Sequence, residues 1–376
     1  MQRTTPPFRA DHVGSLLRPV PLKAARERRE AGAITAEGLK LIEDEEIRKA
    51  IRKQEEIGLE AISDGEFRRA FWHYDFLQHL GGCEGYWMEP KQETNTFDQR
   101  QMFKGAKLKP WMVRVVGKLG FSTHPHLEHF KFLRANTKRT PKAMIPSPSM
   151  LNYRAGRKVV SDRVYPNWDN YYADLSVTYA KAVQAFYDAG CRYLQVDDVA
   201  FAYFCDPAQR QMLVDRGDDP ESLFDNFRQV FNGAVKNRPK DMVVTTHLCR
   251  GNFRSTFVAS GGYQLIADKL FNDLDVDGYF LEWDSDRAGG FEPLASLPKG
   301  NKIVVLGLIT SKSGALESKD AIERRIEEAA KYAPLDQLCL SPQCGFASTE
   351  EGNTLTEDEQ WAKLRHVVEI AKEVWS

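Results

Sequence analysis

A buried strand that ends in two potential metal ligands is predicted by the stretch Asp241-Met242-Val243-Val244-Thr245-Thr246-His247-Leu248-Cys249-Arg250-Gly251-Asn252. Its β-branched run is typical of a buried strand. His247 and Cys249 are two positions apart, so on an extended backbone their side chains point to the same side. An imidazole and a thiolate placed together suit a borderline-soft cation such as Zn²⁺.

Two more potential ligands follow strand-like runs further along the chain. Glu282 ends the run 278–282, and Cys344 lies in the stretch 340–345. Two ligands alone would be weak evidence, because zinc takes about four protein ligands, or three and an open position in a catalytic site. We therefore predict that four side chains converge on one zinc ion: His247, Cys249, Glu282 and Cys344.

The composition is that of a globular protein without a basic surface. Of the 376 residues, 42% are hydrophobic and 28% are charged, and the formal net charge is −1. Nucleic-acid binding is therefore disfavoured. No run approaches the ~18 apolar residues of a membrane span, and residues 1–8 contain no apolar signal-peptide core. We expect a cytoplasmic protein without a membrane partner.

The cysteines are too sparse for a disulfide framework, since there are six in the chain. A reducing compartment would keep them as thiols. Those outside the predicted zinc site are interpreted as small buried hydrophobic residues. They are Cys83, Cys191, Cys205 and Cys339.

Strand-like and helix-like segments alternate along most of the chain. About eight strands with helices between them indicate a parallel sheet, and at eight units a closed (β/α)₈ barrel, the TIM barrel, is favoured over an open sheet. No glycine-rich phosphate loop follows the first predicted strand, at 8–15, which disfavours a dinucleotide-binding fold. We predict a single barrel domain over residues 1–376. Predicted helices include 22–31, 35–57, 71–80, 169–189, 220–235 and 356–374.

Residues 81–135 interrupt this alternation. We predict an inserted hairpin followed by a helix near 125–133, with 92–101 as a polar, turn-like stretch. The segment contains three histidines, but positions 124 and 126 share a helix face poorly. We interpret them as a solvated helix start rather than a second metal site. They are His124, His126 and His129.

Polar residues follow the ends of most predicted strands. In a β/α barrel these ends share one face, where active sites form. One polar residue after a strand is usually only a helix cap, but thiol and carboxyl groups after six or more strands are harder to assign to capping. The residues concerned are Ser15, Asp64, Glu66, Ser147, Asp197, His247, Glu282 and Cys344.

Six short motifs carry most of these residues: Gly14-Ser15, Asp64-Gly65-Glu66, Gln195-Val196-Asp197-Asp198, His247-Leu248-Cys249, Glu282 and Pro342-Gln343-Cys344-Gly345. Together they resemble the catalytic half of cobalamin-independent methionine synthase. The chain is similar to the short, single-barrel members of that family over nearly its whole length outside 81–135. The metal set is the specific part of the likeness. The resemblance implies a zinc enzyme that transfers a methyl group from a reduced folate to homocysteine.

The resemblance also implies how the amino-acid thiol is bound. Glu66 and Asp197 would bind its amino group, and Asp64 belongs to the same motif as Glu66. Two alternatives stay open: Glu66 paired with a neighbouring arginine, and Asp197 acting as a helix cap.

Further residues are implied on the two sides of the substrate. Gly14 and Ser15 would hold the carboxylate through backbone N–H and hydroxyl donors. Tyr153 stands where the family has a tryptophan near the pterin, so it would either stack on the donor or pack in the core.

Zinc chemistry accounts for these residue types independently. A thiol with a pKa of about 8.5 is mostly protonated at pH 7, and metal ligation deprotonates it and holds it in place. Two thiolates and a carboxylate bring three negative charges against two positive ones. Such an electron-rich metal favours a reactive bound thiolate over activation of water.

One position departs from the family pattern. The family's general-acid histidine lies in the loop after the seventh strand, where this chain has Lys312. A lysine with a pKa of about 10.4 is a poor acid at pH 7 unless burial lowers it. Lys312 and Asp197 are the candidate catalytic residues, and Lys312 would alternatively bind an anionic group of another donor. The run Phe71-Trp72-His73-Tyr74 either covers the same opening or packs under a loop.

Three functions fit the sequence. The first is a zinc methyltransferase that binds homocysteine and a methyl donor. The second is a zinc alkyltransferase with another pair, such as an epoxide opened by a thiol cofactor. The third is a non-catalytic barrel stabilised by zinc, disfavoured because structural sites usually use local cysteine pairs. A homo-oligomer stays open in each case.

Overall fold

A parallel sheet and a separate antiparallel hairpin make up the strands of the computed structural model, which describes residues 3–87 and 111–376. The strands are β1 Ala61–Ile62, β2 Gly81–Trp87, β3 Trp111–Gly120, β4 Thr140–Pro146, β5 Tyr193–Asp198, β6 Val243–Leu248, β7 Gly278–Glu282, β8 Ile303–Ile309 and β9 Leu338–Pro342. Seven of them run parallel in the order β1-β4-β5-β6-β7-β8-β9. β8 is buried at every position, as expected for a parallel strand covered on both faces.

The N-terminal segment lies between the two edge strands of this sheet, β9 and β1. Ala10 forms a parallel bridge with Leu340 of β9, and the N–H of Asp11 donates to the Leu340 carbonyl at 3.0 Å. On the other side, Nε2 of His12 lies 3.0 Å from the carbonyl oxygen of Ala61 in β1. These contacts complete the circle of strands and confirm the predicted barrel.

Where the sequence predicted a first strand and its loop over residues 8–15, the structure has a single bridge at Ala10. The carboxylate of Asp11 accepts hydrogen bonds from the N–H groups of Phe8 (3.1 Å) and His12 (2.7 Å). It also pairs with the fully buried Lys142 at 3.2 Å. Because these N–H groups donate to the Asp11 side chain, they cannot form the backbone hydrogen bonds of a regular strand pair.

Helices connect the parallel strands, and capping sets where the long ones begin and end. In α2, the Thr35 side chain accepts from the Gly38 N–H at 3.0 Å, and Gly58 ends the helix with φ 94°. Within the described residues, none of the helices is long and apolar enough to cross a membrane. The helices are α1 Val20–Glu30, α2 Ala36–Ile57, α3 Tyr74–Leu77, α4 Pro125–Asn136, α5 Trp168–Asp188, α6 Ala200–Tyr203, α7 Pro207–Asp215, α8 Pro220–Val235, α9 Lys319–Ala329 and α10 Glu357–Trp375.

The predicted hairpin and helix after residue 81 are confirmed. β2 and β3 pair antiparallel, with Trp87 opposite Trp111, and α4 follows. Helix α4 packs against β4 and α2, so it is the crossover helix between β1 and β4, and the hairpin alone is the insertion. The turn-like stretch 92–101 lies outside the described residues.

The helix predicted at 71–80 is reduced to one turn, α3. Phe71 forms an antiparallel bridge with Thr349, and the Trp72 N–H donates to the Ser348 carbonyl at 3.0 Å. Residues that pair with the loop after β9 are unavailable for a helix. They instead form a cover over the C-terminal face of the barrel.

The histidines before and within α4 are not a solvated helix start, because His124 and His126 are both buried. His124 is the N-cap of α4. Its Nδ1 accepts from the His126 N–H at 3.2 Å, and its Nε2 lies 3.0 Å from the Phe76 carbonyl. The buried ring of His124 is thus the acceptor that caps the helix. Because Nδ1 must carry a lone pair to accept, the imidazole has to be neutral.

Acid should destabilise the protein through His124. Burial lowers the pKa of His124 to about 4, so the folded state stays neutral at pH 5, while the unfolded chain takes up a proton below about 6.5. The stability present above pH 6.5 is therefore lost as pH falls towards 4. In urea unfolding, His124→Asn keeps a cap acceptor without titrating, and should lose about 1–3 kcal/mol less than the wild type between pH 7 and 4.5. Equal losses would contradict this account.

Candidate active site

Four side chains meet at the C-terminal ends of β6, β7 and β9. One ligand atom from each of His247, Cys249, Glu282 and Cys344 lies within 4.8 Å of the other three. All four residues are buried. His247 Nε2 is 3.4 Å from Cys344 Sγ, and Cys249 Sγ is 3.5 Å from the same sulfur. In the part of the chain that the structure describes, this is the one group of its kind able to share a metal ion.

Hydrogen bonds that continue past the strand ends place the two thiols. The Cys249 N–H donates to the carbonyl of Asp198 at the end of β5, at 2.9 Å. Before Cys344, the Gln343 N–H donates to the carbonyl of Ile309 at the end of β8, at 2.8 Å. Both cysteines are therefore fixed by the sheet itself and not by separate turns.

The spacing of the donor atoms fits a tetrahedral zinc ion. Zinc bonds of about 2.3 Å to sulfur and about 2.0–2.1 Å to nitrogen put neighbouring ligand atoms about 3.5–3.8 Å apart. The observed 3.4 and 3.5 Å separations are close to this range. A hydrogen bond from Cys249 lowers the pKa of the Cys344 thiol well below its ordinary value, and the nearby His247 lowers it further. A thiolate at this position is therefore stabilised by its neighbours.

The fourth potential ligand, Glu282, is held by two donors. Its Oε1 accepts from the Arg250 N–H at 2.8 Å, and its Oε2 accepts from Nη2 of Arg287 at 2.7 Å. Burial alone would raise the pKa of Glu282, but the charges of Lys312 and Arg287 outweigh burial and lower it. Glu282 is therefore an ionised carboxylate, the form that binds a metal.

A cavity of about 750 Å³, counting its open mouth, lies above the thiols. Part of its wall is acidic or hydroxylic, and another part is aromatic and basic. Its size suits a small molecule. Besides His247, Cys249 and Cys344, its wall includes Ser15, Glu66, Asp197, Phe71, Trp72, His73, Tyr74, Arg154 and Tyr203.

The backbone of Glu66 is strained, and only one of its two carboxylate oxygens has a hydrogen-bond partner among the described residues. It has φ 60°, in the left-handed region that non-glycine residues rarely adopt. Its Oε1 accepts from Nη1 of Arg69 at 3.2 Å, whereas its buried Oε2 has no hydrogen-bond partner among the described residues. Burial raises the pKa of this carboxyl group. Oε2 of this cavity residue is therefore a hydrogen-bond acceptor that a bound ligand could pair with.

Asp197 and Ser15 lie on the same wall. Burial raises the pKa of Asp197 to about 7, and its Oδ1 accepts from Nε2 of Gln195 at 2.6 Å. Ser15 lies directly against Gly345, where an added Cβ would come within 1.9 Å of the serine hydroxyl oxygen. A glycine after Cys344 is therefore required for the serine to reach the cavity.

Three predicted substrate-binding residues lie off the cavity wall that the described residues form. Asp64 positions Glu66 instead, since its Oδ1 accepts from the Glu66 N–H at 2.9 Å. Gly14 has φ 128° and lies against Met144. Tyr153 is a fully buried core residue whose ring contacts that of Tyr203 edge-on at 5.8 Å. The geometry favours supporting roles for these residues over direct contact with substrate.

Lys312 also lies off this wall. Its ammonium donates to Oδ1 of Asn252 (2.9 Å) and to the carbonyls of Thr256 (3.0 Å) and Gly251 (3.3 Å). An ammonium has three N–H donors, and all of them are used within the loop after β6. The contacts therefore favour a positioning role for Lys312 over the direct catalytic role predicted from the sequence.

The sequence analysis gave no role to several residues of the cavity wall, among them Asn252 and Arg154. Asn252 links the loops after β6 and β9, because its Nδ2 donates to the Gly345 carbonyl at 2.7 Å. Arg154 lines the cavity wall beside Tyr74, whose hydroxyl lies 3.4 Å from Nη1. Both roles depend on contacts with distant parts of the chain, and neither residue stands in a recognisable motif.

The fold and the site define a class of protein, a β/α barrel with a thiolate-rich candidate metal centre at the C-terminal ends of its strands. The sequence profile described as "Cobalamin-independent synthase, Catalytic domain" matches residues 125–373. The chain belongs to this family. The resemblance seen in the six sequence motifs is thereby confirmed.

The chain is similar to individual proteins over nearly its whole length. Bacillus subtilis "Uncharacterized protein YxjH" is 50% identical over 370 residues, covering 98% of this chain and 95% of the relative. The crystal structure of a candidate vitamin-B12 independent methionine synthase from Listeria monocytogenes is 41% identical, with a TM-score of 0.79 and full coverage of both chains. The 5-methyltetrahydropteroyltriglutamate–homocysteine methyltransferase of Bacillus velezensis is 23% identical, and the alignment covers 96% of this chain but 42% of that enzyme.

Proposed function

We propose that this chain is a zinc-dependent methyltransferase that methylates the sulfur of homocysteine, giving methionine, with a donor of the 5-methyltetrahydropteroylglutamate type. The observation that carries the proposal is the group of four potential ligand atoms within 4.8 Å of one another, beside a cavity lined by Glu66 and Asp197. Membership of the cobalamin-independent synthase family supports the reaction, as does the activity named for the Bacillus velezensis relative.

The acidic wall suits the ammonium group of an amino-acid thiol. Glu66 has a buried oxygen without a partner among the described residues, and burial raises the pKa of both Glu66 and Asp197. A bound ammonium would stabilise the ionised form of both carboxylates and supply the missing donor. The Ser15 hydroxyl on the same wall is available to the substrate carboxylate.

The reaction needs an ionised sulfur, an aligned donor and the exclusion of water. A bound zinc ion would keep the substrate sulfur ionised at neutral pH. The carboxylates of Glu66 and Asp197 would orient the amino acid, and the cover formed by residues 70–74 would exclude water. The new S–C bond forms as the N–C bond of the donor breaks, and its electron pair stays on nitrogen, which takes up a proton.

Product analysis tests the proposal directly. We expect zinc-loaded protein given homocysteine and methyl-labelled 5-methyltetrahydropteroyltriglutamate to release labelled methionine, detected by mass spectrometry. Homocysteine should also raise Tm more than other thiols, because binding to the folded state stabilises it. Absence of labelled methionine would overturn the proposed donor, and greater protection by another thiol would favour an alkyltransferase with a different substrate pair.

A further inference from the structure

His73 is a buried histidine on the cavity wall without a polar partner. It is 3% exposed, and neither ring nitrogen has a hydrogen-bond partner among the described residues. Its ring lies between those of Trp72 and Tyr74, at centroid distances of 4.6 and 3.8 Å. A buried polar group without a hydrogen-bond partner destabilises the fold. Binding of a ligand by His73 would explain why a histidine occupies this position.

Neighbouring backbone contacts fix the position of this ring. The His73 carbonyl accepts from the N–H groups of Phe76 and Leu77, at 3.1 and 3.0 Å, and the preceding Trp72 is bound to the loop after β9. Burial, reinforced by the charge of Arg154, lowers the pKa of His73 well below its usual value. The ring is therefore neutral at physiological pH and carries one N–H donor and one acceptor.

The polar groups of the cavity wall divide between the two substrates. Glu66, Asp197 and Ser15 suit the amino and carboxyl groups of the amino acid. Lys312 lies off this wall and directs its ammonium to the loop after β6. His73 is thus a polar group of the aromatic wall that remains available to the other substrate.

We propose that the imidazole of His73 hydrogen-bonds the methyl donor in the cavity and determines specificity for it. The inference rests on the proposed function. The two ring nitrogens point in different directions, so one of them can donate to an acceptor and the other can accept from an N–H or O–H group of the methyl donor. Uncharged amides and heteroaromatic rings supply groups of both kinds. A sulfonium or quaternary ammonium methyl donor that carries no amide or heteroaromatic ring would leave both nitrogens unpaired.

Steady-state kinetics with 5-methyltetrahydropteroyltriglutamate at saturating homocysteine test this inference. His73→Phe keeps an aromatic ring and removes both nitrogens, so the KM for the donor should rise about tenfold. The KM for homocysteine and the zinc content should not change. His73→Gln restores an N–H donor and an acceptor, and should recover part of the lost affinity. Tm of His73→Phe should be equal to or above that of the wild type, because no buried nitrogen is left unpaired.

His126 provides the matched control. It is also buried, and its Nδ1 also has no partner among the described residues, but it lies outside the cavity wall. His126→Phe should leave both KM values unchanged. His73→Leu replaces His73→Phe if the latter does not fold, with the same rise in donor KM expected.

The outcomes separate the inference from the proposed function. Wild-type protein that makes methionine from this donor, together with an unchanged donor KM in His73→Phe or His73→Leu, would overturn the inference alone. An equal rise in His126→Phe would overturn it as well. Wild-type protein that makes no methionine from this donor would overturn the proposed donor, and the inference would fall with it.

Discussion

Cys344→Ala should abolish zinc binding and methyl transfer together. Its sulfur is 3.4 Å from His247 Nε2 and 3.5 Å from Cys249 Sγ, so it contacts two of the other three potential ligands. Without it, the remaining set is an imidazole, one thiolate and a carboxylate already bonded to Arg287. We expect zinc, measured by elemental mass spectrometry after dialysis, to fall from about one ion per chain to below about a tenth. Methionine formation should fall on the order of a thousandfold.

Cys339→Ala is the control for this substitution. Cys339 is also buried and lies in β9, five positions earlier, but it belongs to the core cluster with Val305. Its loss should cost some stability and leave the zinc content unchanged. Full retention of zinc by Cys344→Ala would disprove the metal site, whereas equal loss in both variants would indicate a general effect on folding.

The barrel could be predicted from the sequence because most of its strands and helices are specified by the residues within each segment. Buried β-branched runs such as Val243–Leu248 and capped helices such as Ala36–Ile57 report their structure through nearby residues alone. The first strand and the helix at 71–80 were mispredicted for the opposite reason. The Asp11 carboxylate accepts from neighbouring amides while the distant Lys142 and Tyr193 hold it in place. Phe71 pairs with the distant Thr349, and no local pattern reveals these long-range contacts.

The same distinction applies to the candidate site. His247 and Cys249 could be found because residues two positions apart in a strand point to the same side, and Glu282 and Cys344 because each follows a strand-like run. The contacts of Lys312 could not be found, since position in a loop does not determine what an ammonium reaches. Nor could the sequence show that Tyr153 faces the core, because a large aromatic residue fits a cavity or a core equally well.

Glu66→Gln should weaken homocysteine binding without affecting the metal. The change keeps the size of the side chain but removes the charge that an ammonium would meet, and a hydrogen bond to a charged group contributes about 1.5–3 kcal/mol. We therefore expect the KM for homocysteine to rise about 10- to 100-fold. The kcat and the zinc content should stay close to the wild-type values. Kinetics at saturating donor and metal analysis of the same preparation measure all three quantities.

Glu46→Gln is the control, since Glu46 is a buried carboxylate on α2 that pairs with Lys49 at 2.8 Å, outside the cavity wall. It should leave the KM for homocysteine unchanged. The opposing explanation is that Glu66 serves only to pair with Arg69, at 3.2 Å. In that case Glu66→Gln would lower Tm and leave the KM unchanged, because a structural ion pair does not distinguish free enzyme from complex. The strained φ of 60° and the unpartnered oxygen favour binding, because a purely structural pair gives no reason to maintain either feature.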